Sequence, residues 1–339
     1  MKPAAPIEPR SSTNFRGNES CEVAARGAGS PRFINLLEID ESLIRAHADR
    51  RFRSEYDYAL FEYYRSAKVI AFLQRAGVRI GGRVLDAGCG GGGMPLSLAE
   101  HAAEVVGIDP FNRFGLAGMK LAAERGIRNL HFVLADGMML PFESEGFDLV
   151  LSHAVIEHVS DALRYLQECR RVLAPTGRLY LSTAPYLSFA GAHLPRLRVP
   201  VPLHLIAGRR AAFGTFRWLA RHAPWTLREP AHENSFIRDA RRGIAKEDDL
   251  LEKVRVVRLR RQIAAAGLRI LREELHFSGT VRRLPAPLGR WVRNSEAVQD
   301  VFISNMEYVL APEGDGSRPV GNSSPVASSV PQVETRPLG

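Results

Sequence analysis

The sequence predicts an α/β fold built on a mostly parallel, doubly wound sheet. Apolar segments of strand length alternate with segments of helical periodicity between about residues 57 and 187, the pattern of consecutive strand–helix–strand units. The first apolar segment runs directly into the glycine-rich stretch 88–93, and two later ones end at aspartates. Because sheets of this type bind ligands beyond the carboxyl ends of their strands, we expect these glycines and acids at one ligand-binding edge.

Periodicity places the individual elements. Apolar residues recur at helical spacing over 58–76, and Gly81–Gly82 ends that helix. Ser160 or Asp161 can cap a later helix. We expect strands at 83–85, 105–108, 131–134, 147–152 and 178–183, with helices at 94–101, 114–125 and about 161–173.

The regular pattern is interrupted after the fifth strand. Residues 186–249 are rich in Pro, Arg, His and aromatic residues, and we interpret them as an insertion of short helices. A helix over 250–266 and strands over 268–277 and 301–310 then complete a domain spanning 32–312. Residues 1–31 and 313–339 are rich in Pro, Ser and Gly, which predicts disordered and dispensable tails.

Bulk composition excludes several classes of protein. No apolar run reaches the roughly 18 residues of a membrane-spanning helix, and the N-terminus lacks a signal-peptide core, so we expect a cytoplasmic location. Cys21, Cys89 and Cys169 are far apart, which argues against a disulfide framework or a cysteine-rich metal site.

The chain carries a formal net charge of +9, almost entirely from arginine. Coding bias is one explanation of this excess of arginine. The alternative is an anionic partner, either a phosphorylated acceptor or an anionic membrane that the protein contacts peripherally at its inner face. Nucleic acid is not expected, because the basic residues are scattered and no binding module is recognisable.

The glycine loop is the strongest local signal. Gly88, Gly90 and Gly93 fit the dinucleotide fingerprint, and glycines let the backbone approach a ligand closely. Asp86 precedes them, and its carboxylate would repel a pyrophosphate but attract a cationic amino-acid group. A purely structural tight turn is the alternative.

Two further acids close strands. Asp109 can accept both hydroxyls of a ribose, or it is simply a solvated acid at a strand end. Asp136 can accept from an adenine amino group while the N–H of Gly137 donates to a ring nitrogen. An Asx turn is the competing interpretation of that pair.

The ordered set of motifs resembles the class I S-adenosylmethionine-dependent methyltransferases, specifically the subgroup that methylates small molecules. The resemblance covers about residues 57–187 and resumes at about 250–312. It implies a Rossmann-like, seven-stranded sheet whose last strand is antiparallel, with S-adenosyl-L-methionine as cofactor. The matching segments are VLDAGCGGG, VVGIDP, LADGMMLPF, FDLVLSHAVIEHV and LQECRRVLAPTGRLYLSTAPY.

The resemblance also implies a role for each residue along the cofactor. Asp86, Gly88 and Gly90 would hold the methionine end, and Ser152 and His153 would line the methionine side through backbone groups. Asp109 would hold the ribose. Asp136 and Gly137 would hold the adenine.

Two histidines are candidates for a general base. His158 follows the fourth strand at the rim of the expected methyl site; alternatively it only orders its loop. His193 follows the fifth strand, where the acceptor pocket of this fold is usually built. No further acid is placed to complete a metal site beside Glu157 and His158, so no metal is expected.

The acceptor is the least determined part of the function. We expect O-methylation of a hydroxyl on a sugar, glycolipid or related secondary metabolite, with a quinone-like or phenolic lipid precursor as alternative. A catalytically silent S-adenosylmethionine-binding scaffold is the rival from another class. The insertion is an arginine-lined lid for an acidic acceptor, a patch on anionic lipid, or a solvated cap with its own small core.

Overall fold

A computed structural model describes most of the chain between residues 39 and 314. The predicted tails lie outside the described residues, apart from 313 and 314. The described ranges are 39–188, 194, 197–198, 201–228, 235–246, 250, 252–296 and 298–314.

Seven strands form a single sheet. They are β1 (Arg83–Ala87), β2 (Glu104–Asp109), β3 (Leu130–Leu134), β4 (Phe147–His153), β5 (Leu173–Thr183), β6 (Leu268–Phe277) and β7 (Ile303–Pro312). Their order is β3-β2-β1-β4-β5-β7-β6. The pairs among the first five strands are parallel, whereas β7 runs antiparallel to both β5 and β6. The predicted fold class is confirmed.

Helices flank this sheet. They are α1 (Glu41–Arg50), α2 (Glu55–Arg75), α3 (Gly93–Ala99), α4 (Phe114–Glu124), α5 (Ala162–Val172), α6 (Leu203–Ile206), α7 (Arg209–His222), α8 (Ser235–Arg242), α9 (Val256–Ala265), α10 (Gly279–Arg282), α11 (Ala286–Asn294) and α12 (Gln299–Phe302).

The sheet is buried on both faces. Tyr165 and Leu166 of α5 pack with Leu259 of α9 in one apolar cluster. Ile70 and Leu73 of α2 belong to the cluster on the opposite face. Burial of both faces explains why the central strands are almost continuously apolar. The strand order reverses between β1 and β4, and the crevice at such a switch point is where doubly wound sheets bind ligands.

Some boundaries differ from the expected ones for non-local reasons. The helix expected from residue 250 begins at Val256, where the Asp300 carboxylate accepts the Val256 N–H at 3.2 Å and an N–H of Arg255 at 2.9 Å. The strand expected from 301 begins at Ile303, after the short α12. Helix α11 was not expected, because its PLGRWVRN sequence lies between strands without a clear stop signal.

The described part of the insertion is helical and has its own small core, formed by Ala212, Phe216, Ala220, Leu227, Ile237 and Ala240. Helices α7 and α8 each bind the other's last turn. Nε of Arg221 donates to the Ala240 carbonyl at 2.6 Å, and Nε of Arg241 donates to the Ala220 carbonyl at 3.1 Å. The basic residues at these helix ends therefore satisfy carbonyls that an isolated helix leaves unpaired.

Candidate active site

The glycine loop after β1 is fixed from two sides. The N–H groups of Gly88 and Cys89 donate to the Ile108 carbonyl of β2 at 2.8 and 2.7 Å. Gly88 has φ +106°, and a Cβ there would lie 2.3 Å from a methyl carbon of Val155. A Cβ on Gly93 would lie 1.9 Å from the Ala59 carbonyl oxygen of α2. The loop needs glycine at both positions, and α2 lies directly against it.

Three carboxyl groups converge beside this loop. Asp86 and Asp109 are 2% and 1% exposed, and Glu62 of α2 has a side chain that is 13% exposed. Burial, reinforced by Glu62 and Asp109, raises the pKa of Asp86 well above its usual value. Burial likewise raises the pKa of Glu62 to about 7.

This cluster fits a cationic ligand group. Within the described part of the chain, no hydrogen-bond donor reaches the Asp86 carboxylate. Buried acids without counter-charge are costly and are relieved by an opposite charge. The ammonium of an amino-acid moiety would supply both the charge and the hydrogen-bond donors. A phosphate or pyrophosphate would be repelled, so the dinucleotide interpretation of the glycine loop is disfavoured.

Asp109 is already engaged by three donors. It accepts from the N–H of Gly90 at 3.1 Å, from the N–H of Phe111 at 2.9 Å, and from Arg113 Nη2 at 3.0 Å. The Arg113 side chain is 59% exposed, so it can swing into solvent. A ribose diol that binds Asp109 would compete with this guanidinium.

The Asp136–Gly137 turn has the Asx geometry that the sequence offered as one of two interpretations. The Asp136 carboxylate accepts the Met138 N–H at 2.8 Å, which is an Asx turn. The carboxylate is exposed and keeps its other oxygen for a ligand. A Cβ on Gly137 would lie 2.7 Å from the Tyr165 ring, so the glycine is required for packing. The adenine contact stays a prediction.

Ser152 and His153 lie at the end of β4, at the switch point. Ser152 is buried, and its hydroxyl lies 2.8 Å from that of Tyr165. His153 is half-buried, and its ring is nearly parallel to that of Tyr180, with centroids 6.2 Å apart. Burial and the nearby charge of Arg65 hold the pKa of His153 well below its ordinary value. His153 therefore has a neutral imidazole at the same edge of the sheet as the three carboxyl groups.

Three further residues of the site were not identified from the sequence. Tyr165 looks like an ordinary apolar-face residue of α5, yet its hydroxyl reaches the Ala87 carbonyl at 3.0 Å. Glu62 and Arg65 stand three residues apart on α2, 3.5 Å from each other. The Arg65 Nε is buried and has no hydrogen-bond partner among the described residues. Their i,i+3 spacing predicts an ion pair on one face of a helix, but it does not indicate that α2 covers the glycine loop.

His158 lies in the loop between β4 and α5, which contacts the chain just after the insertion. Its N–H donates to the Val155 carbonyl at 2.8 Å. The adjacent Glu157 is buried, accepts the Thr183 hydroxyl at 2.9 Å, and accepts the Glu252 N–H through its carbonyl at 3.1 Å. His193 lies outside the described residues. Both histidines stay predictions as general bases.

Taken together, the sheet order, the glycine loop and the acids at the strand ends define a Rossmann-like domain with a candidate ligand site at the β1–β4 switch point. Residues 85–181 match the family model described as a methyltransferase domain. This match agrees with the resemblance of the sequence motifs to class I S-adenosylmethionine-dependent methyltransferases, and S-adenosylmethionine is the cofactor of that family.

Named relatives match over part of their length. An uncharacterized methyltransferase, YcgJ of Bacillus subtilis, is 31% identical over 151 residues, 41% of this chain and 60% of the relative. A ubiquinone biosynthesis O-methyltransferase of Cereibacter sphaeroides is 40% identical over 101 residues, 30% of this chain and 40% of the relative. The chain thus spans between two fifths and three fifths of these relatives.

Solved structures resemble this one over a larger share of the chain. The crystal structure of YcgJ from Bacillus subtilis has a TM-score of 0.41 at 17% identity and covers 74% of this chain and 98% of that one. An S-adenosylmethionine-dependent methyltransferase from Mesorhizobium loti has a TM-score of 0.43 at 19% identity, covering 70% and 95%. Within the described residues, no helix has the length and apolarity to cross a membrane.

Proposed function

We propose that this chain transfers the methyl group of S-adenosylmethionine to a hydroxyl of a sugar, a glycolipid or a related secondary metabolite. The observation that carries the proposal is the cluster of Glu62, Asp86 and Asp109 beside the glycine loop. Arg65 pairs with Glu62 and Arg113 with Asp109, but the buried Asp86 has no counter-charge among the described residues, which fits the cationic amino-acid end of this donor. The insertion follows β5, and its two ends are held together where the Tyr186 N–H donates to the Val254 carbonyl at 2.9 Å.

Different side chains around the glycine loop would bind different parts of S-adenosylmethionine. Glu62 and Asp86 would bind the ammonium, and Arg65, whose Nε is buried without a partner among the described residues, would bind the carboxylate. Asp109 would accept from the ribose hydroxyls. When bound, the donor supplies an electrophilic methyl on a sulfonium whose sulfide is a good leaving group. The protein's main task is therefore to align the acceptor oxygen with that methyl.

A phenolic lipid precursor is the second candidate acceptor. The ubiquinone biosynthesis O-methyltransferases among the relatives favour it. The two acceptors differ in acidity: a phenol needs little help from a base, whereas a sugar hydroxyl needs much more. Replacement of the catalytic base is expected to slow sugar methylation by ~10²-fold or more, the range of general base catalysis, and to spare a phenol.

We also propose that the insertion contacts anionic lipid. Trp218 on α7 and Trp225 just after it are exposed at 56% and 69%, and Arg210, Arg217 and Arg221 belong to the same helix. Exposed tryptophans beside cations are the composition of a helix that lies in a membrane interface. Such contact would bring the site close to a lipid-linked acceptor.

Calorimetry tests the donor site first. S-adenosylmethionine and S-adenosylhomocysteine should bind and NAD should not, and Asp86→Asn and Asp109→Asn should each weaken binding by tenfold or more, about 1.4 kcal/mol. Lys120→Gln, on the surface of α4, is the control. Tight NAD binding would contradict the proposal.

Transfer is then tested with isotopically labelled donor and a cell-envelope extract, followed by mass spectrometry. Label on hydroxyl-bearing small molecules or lipids supports the proposal. Label confined to protein, nucleic acid or amines would contradict it. Donor binding with no transfer to any fraction would favour a silent binding protein.

A further inference from the structure

A chain of hydrogen-bonding side chains runs from the end of β4 to the far edge of the sheet. Nδ1 of His153 lies 3.5 Å from the Tyr180 hydroxyl. That hydroxyl lies 2.7 Å from Oε1 of Glu307, and Oε2 of Glu307 lies 2.6 Å from Nε2 of His276. Strands β4, β5, β7 and β6 are neighbours in this order, so each contributes one residue. The donor site as described above uses none of these contacts.

The end of this hydrogen-bonded row of side chains that is farthest from His153 is charged. Burial opposes the ionisation of Glu307, but hydrogen bonds from His276 and Tyr180 outweigh it and hold its pKa below the usual value. The hydrogen bond to Glu307 raises the pKa of His276. Glu274 is bound by Arg272 at 2.5 Å. Glu274, His276 and Glu307 have the spacing of metal ligands, but Arg272 and His276 already neutralise the two carboxylates.

The ionised end determines where the protons lie. A tyrosine hydroxyl has a single proton. The short contact with the Glu307 carboxylate means that Tyr180 donates this proton in a hydrogen bond to Glu307. The Tyr180 oxygen can then only accept from His153, so the imidazole proton belongs on Nδ1. The 3.5 Å separation is long for a hydrogen bond, as contacts in unliganded catalytic sites often are. Nε2 of His153 is left with its lone pair.

We infer that His153 is the group that takes the proton from the acceptor hydroxyl, and that Tyr180 and Glu307 hold its imidazole in the Nδ1–H tautomer. This inference rests on the proposed function and makes it more specific. His153 would be the catalytic residue, because it meets the acceptor oxygen. Tyr180 and Glu307 would be positioning residues, in the same relation to His153 as the acid of a hydrolase triad to its histidine.

The step balances without another reactant. The acceptor oxygen forms a bond to the methyl carbon as the bond from that carbon to sulfur breaks, and the electron pair of the broken bond stays on sulfur. The proton of the hydroxyl moves to Nε2 of His153. The positive charge is thereby transferred from the sulfonium to the imidazole, where Glu307 stabilises it through Tyr180, and the proton later leaves to water.

The other groups around His153 fit this role. Burial, and in addition the charge of Arg65 on α2, lower the pKa of His153, which keeps the imidazole unprotonated before the reaction. Ser182 of β5, paired with His153 in the sheet, directs its hydroxyl to Asn305 Oδ1 at 3.2 Å. Ser182 also lies within hydrogen-bonding reach of the Tyr180 hydroxyl, whose oxygen can accept from more than one donor.

The tautomer is measured by long-range ¹H–¹⁵N NMR of the histidine rings in the full-length protein, with His153 assigned from His153→Gln. We expect Nδ1–H in the wild type. In Glu307→Gln the tyrosine is free to donate to Nδ1, so the population should move to Nε2–H. Tyr180→Phe, which keeps the ring, should lose the Nδ1–H preference. A wild-type Nε2–H tautomer, or no change in both variants, would overturn the inference.

Transfer of labelled methyl groups into a cell-envelope lipid extract gives the second readout. His153→Gln should lower the rate by ~10²-fold and Tyr180→Phe by a smaller factor, while Tyr180→Phe keeps wild-type affinity for S-adenosylhomocysteine. His131→Gln, on the exposed edge strand, should change neither. Full transfer by His153→Gln would overturn the inference. A wild-type protein that binds no donor or transfers no methyl would instead overturn the proposed function, whatever the tautomer.

Discussion

The hydroxyl of Tyr165 lies 3.0 Å from the carbonyl oxygen of Ala87, so a residue of α5 fixes the position where β1 turns into the glycine loop. The same hydroxyl lies 2.8 Å from Ser152 Oγ at the end of β4. The ring also packs against Gly137. One buried side chain thus connects the three loops that form the ligand edge.

Tyr165→Phe should lower the free energy of unfolding by about 1–3 kcal/mol, the cost of leaving buried polar groups unsatisfied. It should also weaken donor binding, because the ends of β1 and β4 lose their common contact. Urea denaturation and calorimetry measure the two effects. Tyr56→Phe, which loses a hydrogen bond to Glu124 at the surface, is the control and should change both quantities little. Equal effects of the two variants would contradict this role for Tyr165.

Two neighbouring glycines should differ sharply in their tolerance of alanine. In Gly93→Ala the new methyl meets the Ala59 carbonyl oxygen at 1.9 Å, whereas in Gly91→Ala it meets the Ala59 Cβ at 3.6 Å, an ordinary contact. Gly93→Ala should cost about 1–3 kcal/mol of stability through overpacking and displace α2 from the loop. Gly91→Ala should be close to neutral. Thermal unfolding distinguishes them, and a benign Gly93→Ala would show that α2 is not held against the loop.

Sequence reasoning could predict those parts of the candidate site whose residue types are distinctive. The glycine loop, Asp86 and Asp109 stand out because each follows or ends an apolar strand, and the strand order then places them together. Glu62, Arg65 and Tyr165 escaped detection because they lie on helices with ordinary amphipathic patterns. Their role depends on which strand end each helix covers, which is a tertiary property.

The same distinction holds for the polar chain behind His153. Its members come from β4, β5, β6 and β7, and His153 and Glu307 are 154 positions apart in a sequence whose local pattern gives no sign of the pairing. Local periodicity also could not place the start of α9, because Asp300, which binds its first turn, follows it by more than forty residues. The sequence therefore predicts strand ends better than it predicts which side chains meet there.

Glu62 should make stability depend on pH. Its pKa is about 7 in the folded protein against an ordinary 4.5, so the folded state binds more protons than the unfolded state between these values. The contribution of Glu62 to the free energy of unfolding should therefore fall as pH rises from about 4.5 to about 7 and stay constant above. Glu62→Gln should flatten this slope. Glu55→Gln, on the exposed first turn of the same helix, should retain it, and an unchanged slope in Glu62→Gln would refute the assignment.

The ionisation of Glu62 should also be linked to donor binding. An ammonium favours the charged carboxylate, so binding near pH 6 should release protons and affinity should rise toward pH 7. Calorimetry in buffers of different ionisation enthalpy measures the released protons. Glu62→Gln should release fewer protons than the wild type, and equal release by both would place the linked proton elsewhere.

Arg113 should stabilise the protein more in the absence of donor than in its presence. Its guanidinium pairs with the buried Asp109 at 3.0 Å, and the ribose hydroxyls would replace it there. Arg113→Gln should lower the free energy of unfolding by about 1–3 kcal/mol, between the values for exposed and buried pairs. The melting-temperature difference from wild type should shrink at saturating donor. Lys120→Gln, which breaks the surface pair with Glu124, should show no donor dependence, and a constant deficit in Arg113→Gln would contradict the competition.

The insertion should bind anionic vesicles through its exposed tryptophans. Replacement of Trp218 and Trp225 by serine removes apolar groups that would enter the interface, while the core residues Ala212 and Phe216 of the insertion are untouched. Sedimentation with phosphatidylglycerol vesicles should fall at least tenfold in this double variant, and binding of the wild type should weaken with salt because arginines contribute. Trp291→Ser, exposed on α11 outside the insertion, is the matched control. If the wild-type protein does not sediment with anionic vesicles at low salt, the membrane proposal is contradicted. The insertion would then be a cap over the acceptor, and its arginines would face a small acidic substrate.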